Sequence, residues 1–446
     1  MLEKILRSLE KYVIPKRLYR LGQPIYHFLL AFLGNFIYGA PSKRMFVVGV
    51  TGTKGKTTTA NLIAQILNGA GFKTGKITSV VFGIGEKEWK NDTKHAMPGR
   101  FQLQKLLSQM AKACCRYAVV ETSSEGILQF RHRFIDYKAA VFTNLSPEHI
   151  ERHGSFHSYR AAKLKLFEKI ARKKDGIGIF NLDDENAEYF LRPSVKNKIG
   201  YGMKFLNPKS ELQMKFQISN IELSMRGTEF KFNGEKFSTP LIGEFNVYNA
   251  AAAISFALSQ NIPAQKIKEV LKRAKPVPGR LEVVDCGQDF TVIVDYAHEP
   301  ASLEAAYKAV KLFNPRRIIG LLGAQGGGRD KWKRAAMAKI AEKYCDEIIF
   351  ANEDPYDEEP KRIIDDMVAA IGSRAGITNH ESRIYKIIDR REAIQKAVSL
   401  AAKGDAVILT GKGGEVWMCL KNDKKIPWNE REIVEEALES QISSAK

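Results

Sequence analysis

The sequence lacks the features that mark several common classes of protein. Its five cysteines form no C-x-x-C pair and show no zinc-ligand spacing among 446 residues. We therefore predict neither a disulfide framework nor a zinc site, and the cysteine usage is typical of a reducing compartment, the cytoplasm. The chain shows no internal repeat, low-complexity tract or DNA- or RNA-binding motif, so no nucleic-acid partner is expected.

Long apolar runs are also missing from the N-terminal segment, residues 1–43. The longest unbroken run there covers residues 28–33, far short of the ~20 residues that span a bilayer. The segment has seven Lys and Arg against two Glu. We favour a helix packed on the domain that follows. A basic amphipathic helix on a membrane surface and a signal peptide with a small residue at Ala40 are the alternatives.

The chain as a whole carries a strong positive charge. Its net charge is +20, while 44% hydrophobic and 27% charged residues are ordinary for a soluble globular protein. Such a charge suits a nucleic acid, an anionic membrane surface or small polyanionic substrates, and lysines spread over solvated faces produce it as well. The length suggests roughly two or three domains.

One segment predicts a binding site for phosphate groups. An apolar strand at residues 45–50 leads into the turn Thr-Gly-Thr-Lys-Gly-Lys-Thr-Thr and then into an apolar-periodic helix. In such a turn the backbone N–H groups face an anion, Lys56 adds a point charge and Thr57 can hold Mg²⁺. The usual pattern has glycine where this chain has Val50. The residues of the turn predicted to bind nucleotide are Gly52, Thr53, Lys54, Gly55, Lys56, Thr57 and Thr58.

Strand and helix patterns alternate along the rest of the chain and predict two α/β domains. Residues 211–239 alternate apolar and polar side chains, as half-exposed antiparallel strands do. The Lys-Pro-Val-Pro-Gly segment at 275–279 is the best domain boundary, because the alternation restarts beyond it. We predict an N-terminal segment at 1–43, a central P-loop-type ATPase domain with a mostly parallel sheet at 44–275, and a C-terminal Rossmann-like domain at 276–446.

Polar residues that follow buried strands are candidates for the site, since ligands of open α/β sheets lie beyond the carboxyl ends of the strands. Glu121 ends the strand at residues 117–121 and is a plausible Mg²⁺ ligand. His149 follows the next strand, at 138–143, and can reach the same place. Lys163, taken alone, is interpreted as a solvated lysine on a helix.

Eight motifs in a fixed order resemble those of the Mur ligase family. They are T-G-T-x-G-K-T-T, E-x-S-S-x-G, T-N-L-S-x-x-H, Y-x-x-A-K-x-x-L-F, G-x-F-N-x-x-N-A, P-G-R, D-Y-A-H-x-P and G-x-x-G-G-x-R-D-x-x-K-R. The resemblance covers residues 26–446 and is closest to the branch that adds the third peptide residue to UDP-N-acetylmuramoyl-L-alanyl-D-glutamate. It implies an ATP-dependent ligase of peptidoglycan precursor synthesis.

The resemblance also implies roles for single residues. Lys163 matches a lysine that becomes carbamylated and so acts as a carboxylate-like metal ligand. The implied catalytic residues are Lys56, Lys163, His149 and Glu121; the implied metal ligands are Thr57, Glu121, His149 and carbamylated Lys163, for two Mg²⁺ sites. Beyond the turn, the implied ATP-binding residues are Asn246, Asn249, Arg280 and Asp295. The implied substrate-binding residues are Ser123, Arg329, Asp354, Tyr356, Gly411 and Glu415.

The chemistry implied by the family fits these residue types. Transfer of the ATP γ-phosphoryl group to a carboxylate gives an acyl phosphate, and metal ions and lysines neutralise the charge that develops. An amine then attacks and releases phosphate. The expected partners are a UDP-sugar peptide acceptor and an amino acid; a monomer is favoured, and contact with a membrane surface through the N-terminus is open.

The chain departs from the family pattern at its N-terminus and in its substrate motifs. The family's UDP-binding domain is almost wholly missing from the sequence, and only its last helix is expected, near residues 26–38. Members that add diaminopimelate carry D-N-P-R, whose arginine can grip a carboxylate, whereas this chain has Tyr356 at the arginine position. The acidic residues Asp354, Asp357 and Glu358 favour an amino group, so we expect lysine or another diamine rather than diaminopimelate.

Two further substitutions bear on the substrate. G-K-G-H-E of the family is Gly-Lys-Gly-Gly-Glu at residues 411–415, and Glu125 replaces a histidine. The alternatives to the proposed activity are a folylpolyglutamate, cyanophycin or polyglutamate type of ligase, and a non-catalytic P-loop protein that binds a nucleic acid or a partner. Lys54 is the residue expected in folylpolyglutamate synthase, but the Gly-Lys-Thr-Thr of the turn is not.

Overall fold

The computed structural model describes residues 16–93, 95–148, 150–206, 212–224, 226–328, 331–371 and 383–445. The helices in these ranges are α1 (Lys16–Ile37), α2 (Lys56–Gly69), α3 (Arg100–Lys112), α4 (Ser124–Leu128), α5 (Ile150–His153), α6 (Phe156–Ala171), α7 (Ala187–Leu191), α8 (Glu244–Ser259), α9 (Ala264–Lys272), α10 (Pro300–Val310), α11 (Trp332–Tyr344), α12 (Pro360–Val368), α13 (Arg390–Leu400) and α14 (Glu430–Ala445).

The strands fall into two groups along the chain. The first group is β1 (Phe46–Thr51), β2 (Thr74–Ile77), β3 (Val81–Ile84), β4 (Lys87–Lys90), β5 (Tyr117–Glu121), β6 (Tyr137–Phe142), β7 (Ile177–Asn181), β8 (Asn197–Gly202), β9 (Met214–Ser224), β10 (Gly227–Phe232) and β11 (Glu235–Thr239). The second is β12 (Glu282–Val284), β13 (Thr291–Val294), β14 (Ile318–Leu322), β15 (Glu347–Phe350), β16 (Ile384–Lys386), β17 (Ala406–Leu409), β18 (Trp417–Cys419) and β19 (Lys425–Pro427).

The first group forms an eleven-stranded sheet in the order β11-β10-β9-β8-β7-β6-β1-β5-β2-β3-β4. The seven strands from β9 to β2 pair in parallel, and antiparallel strands extend both edges. The antiparallel pairing predicted for residues 211–239 is confirmed for β9–β10–β11, although β9 also joins β8 in parallel. Helices cover both faces, as parallel sheets require.

Close packing of α8 on α2 places polar residues beside the phosphate turn. The alanines at 250–253 of α8 are fully buried with the apolar side of α2, in the core on one face of the sheet. Small side chains let two helices approach closely, so the first turn of α8 lies against the turn that precedes α2.

The second sheet has the order β12-β13-β17-β14-β15-β16, and all its pairs except β12–β13 are parallel. Helices α10, α11 and α12 pack on one face, while α13 and α14 pack on the other. The predicted fold class, a mostly parallel nucleotide-binding sheet followed by a second α/β unit, is confirmed. The exact domain limits at 43/44 and 275/276 stay predictions.

Helix α1 packs across α3, which confirms the favoured interpretation of the N-terminal segment. A Cβ atom on Gly34 would lie 3.5 Å from the Arg100 carbonyl oxygen, so the two helices touch closely. The rings of Phe28 and Phe32 meet the ring of Phe134 edge-on, with centroids 5.3 and 5.7 Å apart. Within the described residues, every helix falls short of the length and apolarity needed to cross a bilayer.

Candidate active site

The phosphate turn joins β1 to α2 and is held in a single conformation by its neighbours. Gly52 has φ +150° and Gly55 has φ +78°, values that favour glycine. A Cβ atom would lie 2.0 Å from Thr143 Oγ1 at Gly52, and 2.1 Å from Asn249 Oδ1 at Gly55. Val50 is buried inside β1, so the departure from the usual glycine falls in the strand and not in the turn.

Two lysines of the turn contact different groups. Lys56 Nζ donates to the Thr53 carbonyl oxygen at 2.6 Å. Burial lowers the pKa of Lys56, although the nearby carboxylates of Glu121 and Glu148 oppose this. Lys54 Nζ lies 3.2 Å from Glu148 Oε1 and 3.1 Å from Glu299 Oε1, and Glu299 precedes α10 of the second sheet. Lys54 therefore links the phosphate turn to the C-terminal half of the chain.

Three oxygen-bearing side chains meet at the start of α2. Thr57 Oγ1 donates to Glu121 Oε2 at 2.9 Å and lies 2.9 Å from Ser79 Oγ, while the Ser79 backbone N–H donates to the same carboxylate oxygen at 2.8 Å. Hard oxygen donors of this kind suit Mg²⁺, which is commonly bound by one or two carboxylates together with substrate phosphates. The sequence analysis missed Ser79. It follows β2, which neighbours β5, so the strand-end rule that found Glu121 applies to it too.

Few candidate metal ligands meet here within the part of the chain that the structure describes. Among the described residues, no group of three His, Cys, Asp or Glu side chains is positioned to hold a metal ion. His149, predicted to be one of the ligands, lies outside the described residues. The observed donors, Thr57 and Glu121 with Ser79, fit an ion that takes its remaining ligands from phosphate and water.

Lys163 is buried and not solvated, so its interpretation as an exposed helical lysine is wrong. It lies on α6 with 1% exposure, and its Nζ donates to the Gly52 carbonyl oxygen at 2.6 Å. Burial, and next the charge of Lys56, hold the pKa of Lys163 well below its usual value. The helix periodicity already placed this position on the side of α6 that carries Tyr159 and Leu166.

Asn246 and Asn249 occupy the first turns of α8, and both are 5% exposed. Asn249 Nδ2 donates to Asn246 Oδ1 at 2.9 Å, and Asn246 Nδ2 donates to the Ile242 carbonyl oxygen at 2.8 Å. Thr59 Oγ1 also donates to Asn249 Oδ1, at 3.3 Å. The two amides therefore hold α8 against the phosphate turn.

The segment after β13 faces the phosphate turn. Asp295 accepts hydrogen bonds from the backbone N–H groups of Leu281 and Ala297, each at 2.8 Å, and burial raises its pKa. These two hydrogen bonds tie the segment before β12 to the segment after β13. The Arg280 guanidinium lies 4.3 Å from the centroid of the Tyr296 ring. Its Nε is buried and has no hydrogen-bond partner among the described residues, so it can serve an anionic ligand.

Lys412 is buried and neutralises two acidic side chains of the second α/β unit. Lys412 Nζ donates to Asp354 Oδ1 at 2.9 Å, to Glu415 Oε2 at 2.7 Å and to the Trp417 carbonyl oxygen at 2.8 Å. The hydroxyl of Tyr296 lies 3.3 Å from Glu415 Oε1. Asp354 and Glu415 thus come together as predicted, but with a cation of the protein between them.

The other acidic residues of this segment are also engaged by the protein. Glu358 binds Arg334 and Lys331, at 2.8 and 3.2 Å, and Asp357 accepts from the Asn422 backbone N–H at 2.9 Å. Because these acidic side chains already have partners within the protein, they give no reason to expect lysine as the amino acid. Glu353 is fully buried, burial raises its pKa, and both of its carboxylate oxygens are without a hydrogen-bond partner among the described residues.

Two further residues near Ser123 were missed by the sequence analysis. Arg131 donates to Gln129 Oε1, at 2.7 Å from its Nη2, and to the Met97 carbonyl oxygen. Both line the cleft together with Arg152. Ser123 itself caps α4 by accepting from the Gly126 backbone N–H at 3.2 Å. The signal was available, because Gln129 and Arg131 follow directly on the recognised E-x-S-S-x-G motif.

Many of these groups surround one cleft of about 880 Å³ between the two sheets. This volume lies near the top of the range for small-molecule sites. The predicted residues that line it are Thr53, Lys54, Gly55, Lys56, Thr57, Thr58, Glu121, Ser123, Asn246, Asn249, Arg280, Asp295, Asp354, Tyr356 and Glu415.

Five predicted residues do not line the cleft or cannot be placed, and Gly52, which is buried in the turn, is one of them. The Lys163 side chain lies behind the phosphate turn, where its Nζ donates to the Gly52 carbonyl oxygen. Gly411 packs behind the cleft, because a Cβ atom there would lie 2.5 Å from Glu353 Oε2. Arg329, like His149, lies outside the described residues.

Comparison with known proteins identifies the family. Residues 50–257 match the Mur ligase middle domain, and residues 279–413 match the Mur ligase glutamate ligase domain. The UDP-N-acetylmuramoyl-L-alanyl-D-glutamate–2,6-diaminopimelate ligase of Syntrophomonas wolfei is 37% identical over 417 residues, 93% of this chain and 82% of the relative. The chain belongs to the Mur ligase family.

Solved structures agree with this assignment. A UDP-N-acetylmuramoyl-L-alanyl-D-glutamate–2,6-diaminopimelate ligase matches with a TM-score of 0.60 and 28% identity, covering 89% of this chain and 79% of the other. Folylpolyglutamate synthase of Mycobacterium tuberculosis matches with a TM-score of 0.70 but 18% identity, over 86% of this chain and 92% of the other. The second match shows the shared fold alone.

Membership of the Mur ligase family settles several expectations. The protein is an ATP-dependent ligase that uses ATP and Mg²⁺, as this family does, and the non-catalytic interpretation is not supported. The expected preference for lysine is not confirmed, because the curated relatives compared are named as diaminopimelate ligases. The missing UDP-binding domain, the monomeric state and the cytoplasmic location stay predictions.

Proposed function

We propose that this protein joins an amino acid to UDP-N-acetylmuramoyl-L-alanyl-D-glutamate, with diaminopimelate as the amino acid added. One observation carries the proposal: the phosphate turn of the first sheet and the Lys412–Asp354–Glu415 cluster of the second sheet open into the same cleft. A carboxylate activated at one wall can therefore meet an amine delivered from the other. The fold of folylpolyglutamate synthase is shared, but the relatives above 30% identity bear the muramoyl-peptide name.

The proposed reaction has two steps. The acceptor carboxylate oxygen attacks the γ-phosphorus of ATP, so that an acyl phosphate forms and ADP leaves. The amine nitrogen then attacks the acyl carbon; the amide bond forms, phosphate leaves, and the amine gives up a proton. We assign Lys56, Arg280 and the backbone N–H groups of the turn to the phosphates, where they stabilise the charge of the transferring group.

Thr57 and Glu121, with Ser79, are the described residues that would hold Mg²⁺, and the ion would neutralise charge on the phosphate oxygens. Lys163 is proposed to be carbamylated and to serve a second Mg²⁺ site. Its low pKa favours the neutral amine, which attacks the carbon of CO₂ to form a C–N bond and releases one proton. The carbamate places an anion beside Lys56, where it can pair with the charge of that lysine.

Arg131 and Arg152 are proposed to receive the acceptor, at the end of the cleft marked by Ser123. Guanidinium groups bind carboxylates and phosphates through paired hydrogen bonds. These guanidinium groups are suited to the anionic muramoyl dipeptide, and we assign the part of the cleft at Tyr356 and Glu415 to the amino acid.

The amino acid is tested by measuring ADP release and product mass with ATP, Mg²⁺ and the muramoyl dipeptide. We expect a product with diaminopimelate, and none with UDP-N-acetylmuramoyl-L-alanine as a control acceptor that lacks the glutamyl carboxylate. A product with lysine but not with diaminopimelate would refute the choice of amino acid. Absence of any amino-acid-dependent ADP release with this acceptor would refute the proposed function.

Tyr356 provides a matched test of specificity. It stands where diaminopimelate-adding members carry arginine, and it lines the cleft. Tyr356→Arg should lower KM for diaminopimelate relative to lysine by about tenfold, because a charge-assisted pair to the distal carboxylate is gained. Tyr356→Phe is the control, and an equal effect of both substitutions would remove this position from the amino-acid site.

A further inference from the structure

Helix α1 leaves most of its large apolar side chains exposed to solvent, although Leu30 is buried and Phe28 and Phe32 also contact Phe134. The exposed side chains are between 40% exposed, at Phe28, and 73% exposed, at Phe36. The full set is Ile25, Phe28, Leu29, Phe32, Leu33, Phe36 and Ile37. Single exposed apolar residues are normal on protein surfaces, but a continuous patch of this kind marks an interaction site.

An ordinary surface helix turns its apolar stripe towards the core, whereas α1 turns an apolar stripe towards solvent. Ile25, Leu29, Phe32 and Phe36 follow at spacings of four, three and four residues, so they form one stripe. The opposite face holds Ala31, which is 2% exposed, and Gly34, which approaches α3. Leu30, Ala31 and Gly34 thus pack the helix on the protein, and its apolar stripe remains outside.

The charge around this stripe has one sign. Asp and Glu are absent from the sequence between residues 11 and 85. Lys16, Arg17 and Arg20 stand at the start of α1, and Lys43 and Arg44, which are exposed, follow its end. Residues 21–42 contain no charged Asp, Glu, Lys or Arg. An apolar stripe on a helix of 22 residues, about 33 Å long, therefore has basic residues at both ends.

We propose that the exposed stripe of α1 binds an anionic lipid surface, to which the basic residues near both ends of the helix add electrostatic attraction. Apolar side chains enter the interface while Lys and Arg contact the headgroups, which is how interfacial helices bind. A second copy of this chain is a poorer occupant. Two such helices would bring basic ends together, and the sequence from 11 to 85 offers no carboxylate to pair with them.

The proposal does not depend on the identity of the substrate. It places the ligase, or at least its N-terminal helix, on the face of a membrane. Arg131, which lines the cleft, lies near α1, because burial and next the charges of Arg100 and Arg131 lower the pKa of His27 on α1 to about 4.

Co-sedimentation with vesicles tests the proposal. The full chain should bind vesicles of phosphatidylcholine with phosphatidylglycerol, and bind neutral phosphatidylcholine vesicles at least about tenfold more weakly, because each basic residue near an anionic surface adds about 1 kcal/mol. Added salt should reduce the difference. Equal binding to both kinds of vesicle, or binding to neither, would overturn the proposal.

Two variants identify the surface that binds. Leu29→Glu with Phe36→Glu should abolish binding to the anionic vesicles. Ile388→Glu should not, since Ile388 is comparably exposed, at 46%, but lies on the second α/β unit. ADP release measured without vesicles should stay unchanged in both, which shows that they fold. Retained binding by the double variant would refute the assignment, as would a dimer found by sedimentation equilibrium that the double variant dissociates.

Discussion

At the scale of single residues, two buried lysines dominate the electrostatics of the cleft. Lys56 and Lys163 each have a lowered pKa, burial is the first cause in both, and the charge of Lys56 lowers the pKa of Lys163 further. The carboxylates of Glu121 and Glu148 partly oppose this lowering of the Lys163 pKa. A polyanion such as a nucleoside triphosphate supplies negative charge here. Binding of the substrate therefore reduces the repulsion between the positive charges of Lys56 and Lys163.

Replacing Lys56 tests its role at the phosphates. Lys56→Ala should lower the rate of ADP release by ~10²–10³-fold, since it removes one charge contact that is stronger in the transition state. Steady-state kinetics with saturating substrates measure this. Lys112→Ala, at an exposed position at the end of α3, is the control. A variant at position 56 that turns over normally would remove Lys56 from the mechanism.

The proposed carbamate on Lys163 would make the activity depend on CO₂ and on pH. Because the pKa of Lys163 lies below its usual value, the amine is neutral at a pH where a free lysine is charged. The carbamate should be lost as the pH falls through that lowered pKa, and added bicarbonate should restore it. Labelled bicarbonate followed by NMR of the protein measures the adduct directly.

Two variants complete this test. Lys163→Gln should carry no adduct and should lose activity by roughly 10²-fold, whereas Lys112→Gln should keep both. An active enzyme in CO₂-free buffer, with no labelled carbon on Lys163, would show that the lysine acts as an amine.

At the scale of secondary-structure elements, the β1–turn–α2 unit could be predicted in full from the sequence. Its signals are local: an apolar strand, glycines at positive φ and an apolar-periodic helix. Glu148 and Glu299 could not be assigned in the same way, because each is an ordinary polar residue whose role comes from partners far along the chain. The burial of Lys163 is indicated only by the helical periodicity around it, because a lysine on a helix is usually solvated.

The start of α14 is fixed by an ion pair that is entirely buried. Arg390, the first residue of α13, donates to Glu430 at 2.5 Å and to the Thr410 carbonyl oxygen at 2.7 Å, and both charged side chains have no exposed surface. Trp428 Nε1 donates to Glu430 at 2.7 Å. The pair joins two helices to the end of β17, directly behind Gly411 and Lys412.

Breaking this pair should destabilise the second α/β unit. Glu430→Ala leaves the Arg390 guanidinium buried without its partner and should cost about 3–5 kcal/mol of unfolding free energy. The double variant Arg390→Met with Glu430→Met should cost less, because no charge remains unpaired. Urea unfolding followed by tryptophan fluorescence measures both. Glu432→Ala, exposed on the same helix, is the control, and equal effects of Glu430→Ala and Glu432→Ala would refute the argument.

At the scale of the whole molecule, the cleft depends on contacts that cross between the sheets. Lys54 reaches Glu299, and Trp417 Nε1 donates to the Asp92 carbonyl oxygen at 2.9 Å. Closure of a site over its substrates excludes water from reactive intermediates, and an acyl phosphate is such an intermediate. The alternation of strands and helices predicts two α/β units, but it cannot show that their carboxyl ends face each other across one cleft. That geometry depends on contacts between distant segments, such as Lys54 with Glu299.

The account rests on activation of the acceptor carboxylate by the ATP γ-phosphoryl group. Its most direct test uses an acceptor whose glutamyl carboxylate is labelled with ¹⁸O, turned over with ATP, Mg²⁺ and the amino acid. The released phosphate should carry one labelled oxygen for each amide bond formed, because the acyl phosphate passes a carboxylate oxygen to phosphorus. Phosphate without the label, at an equal yield of amide, would contradict the account.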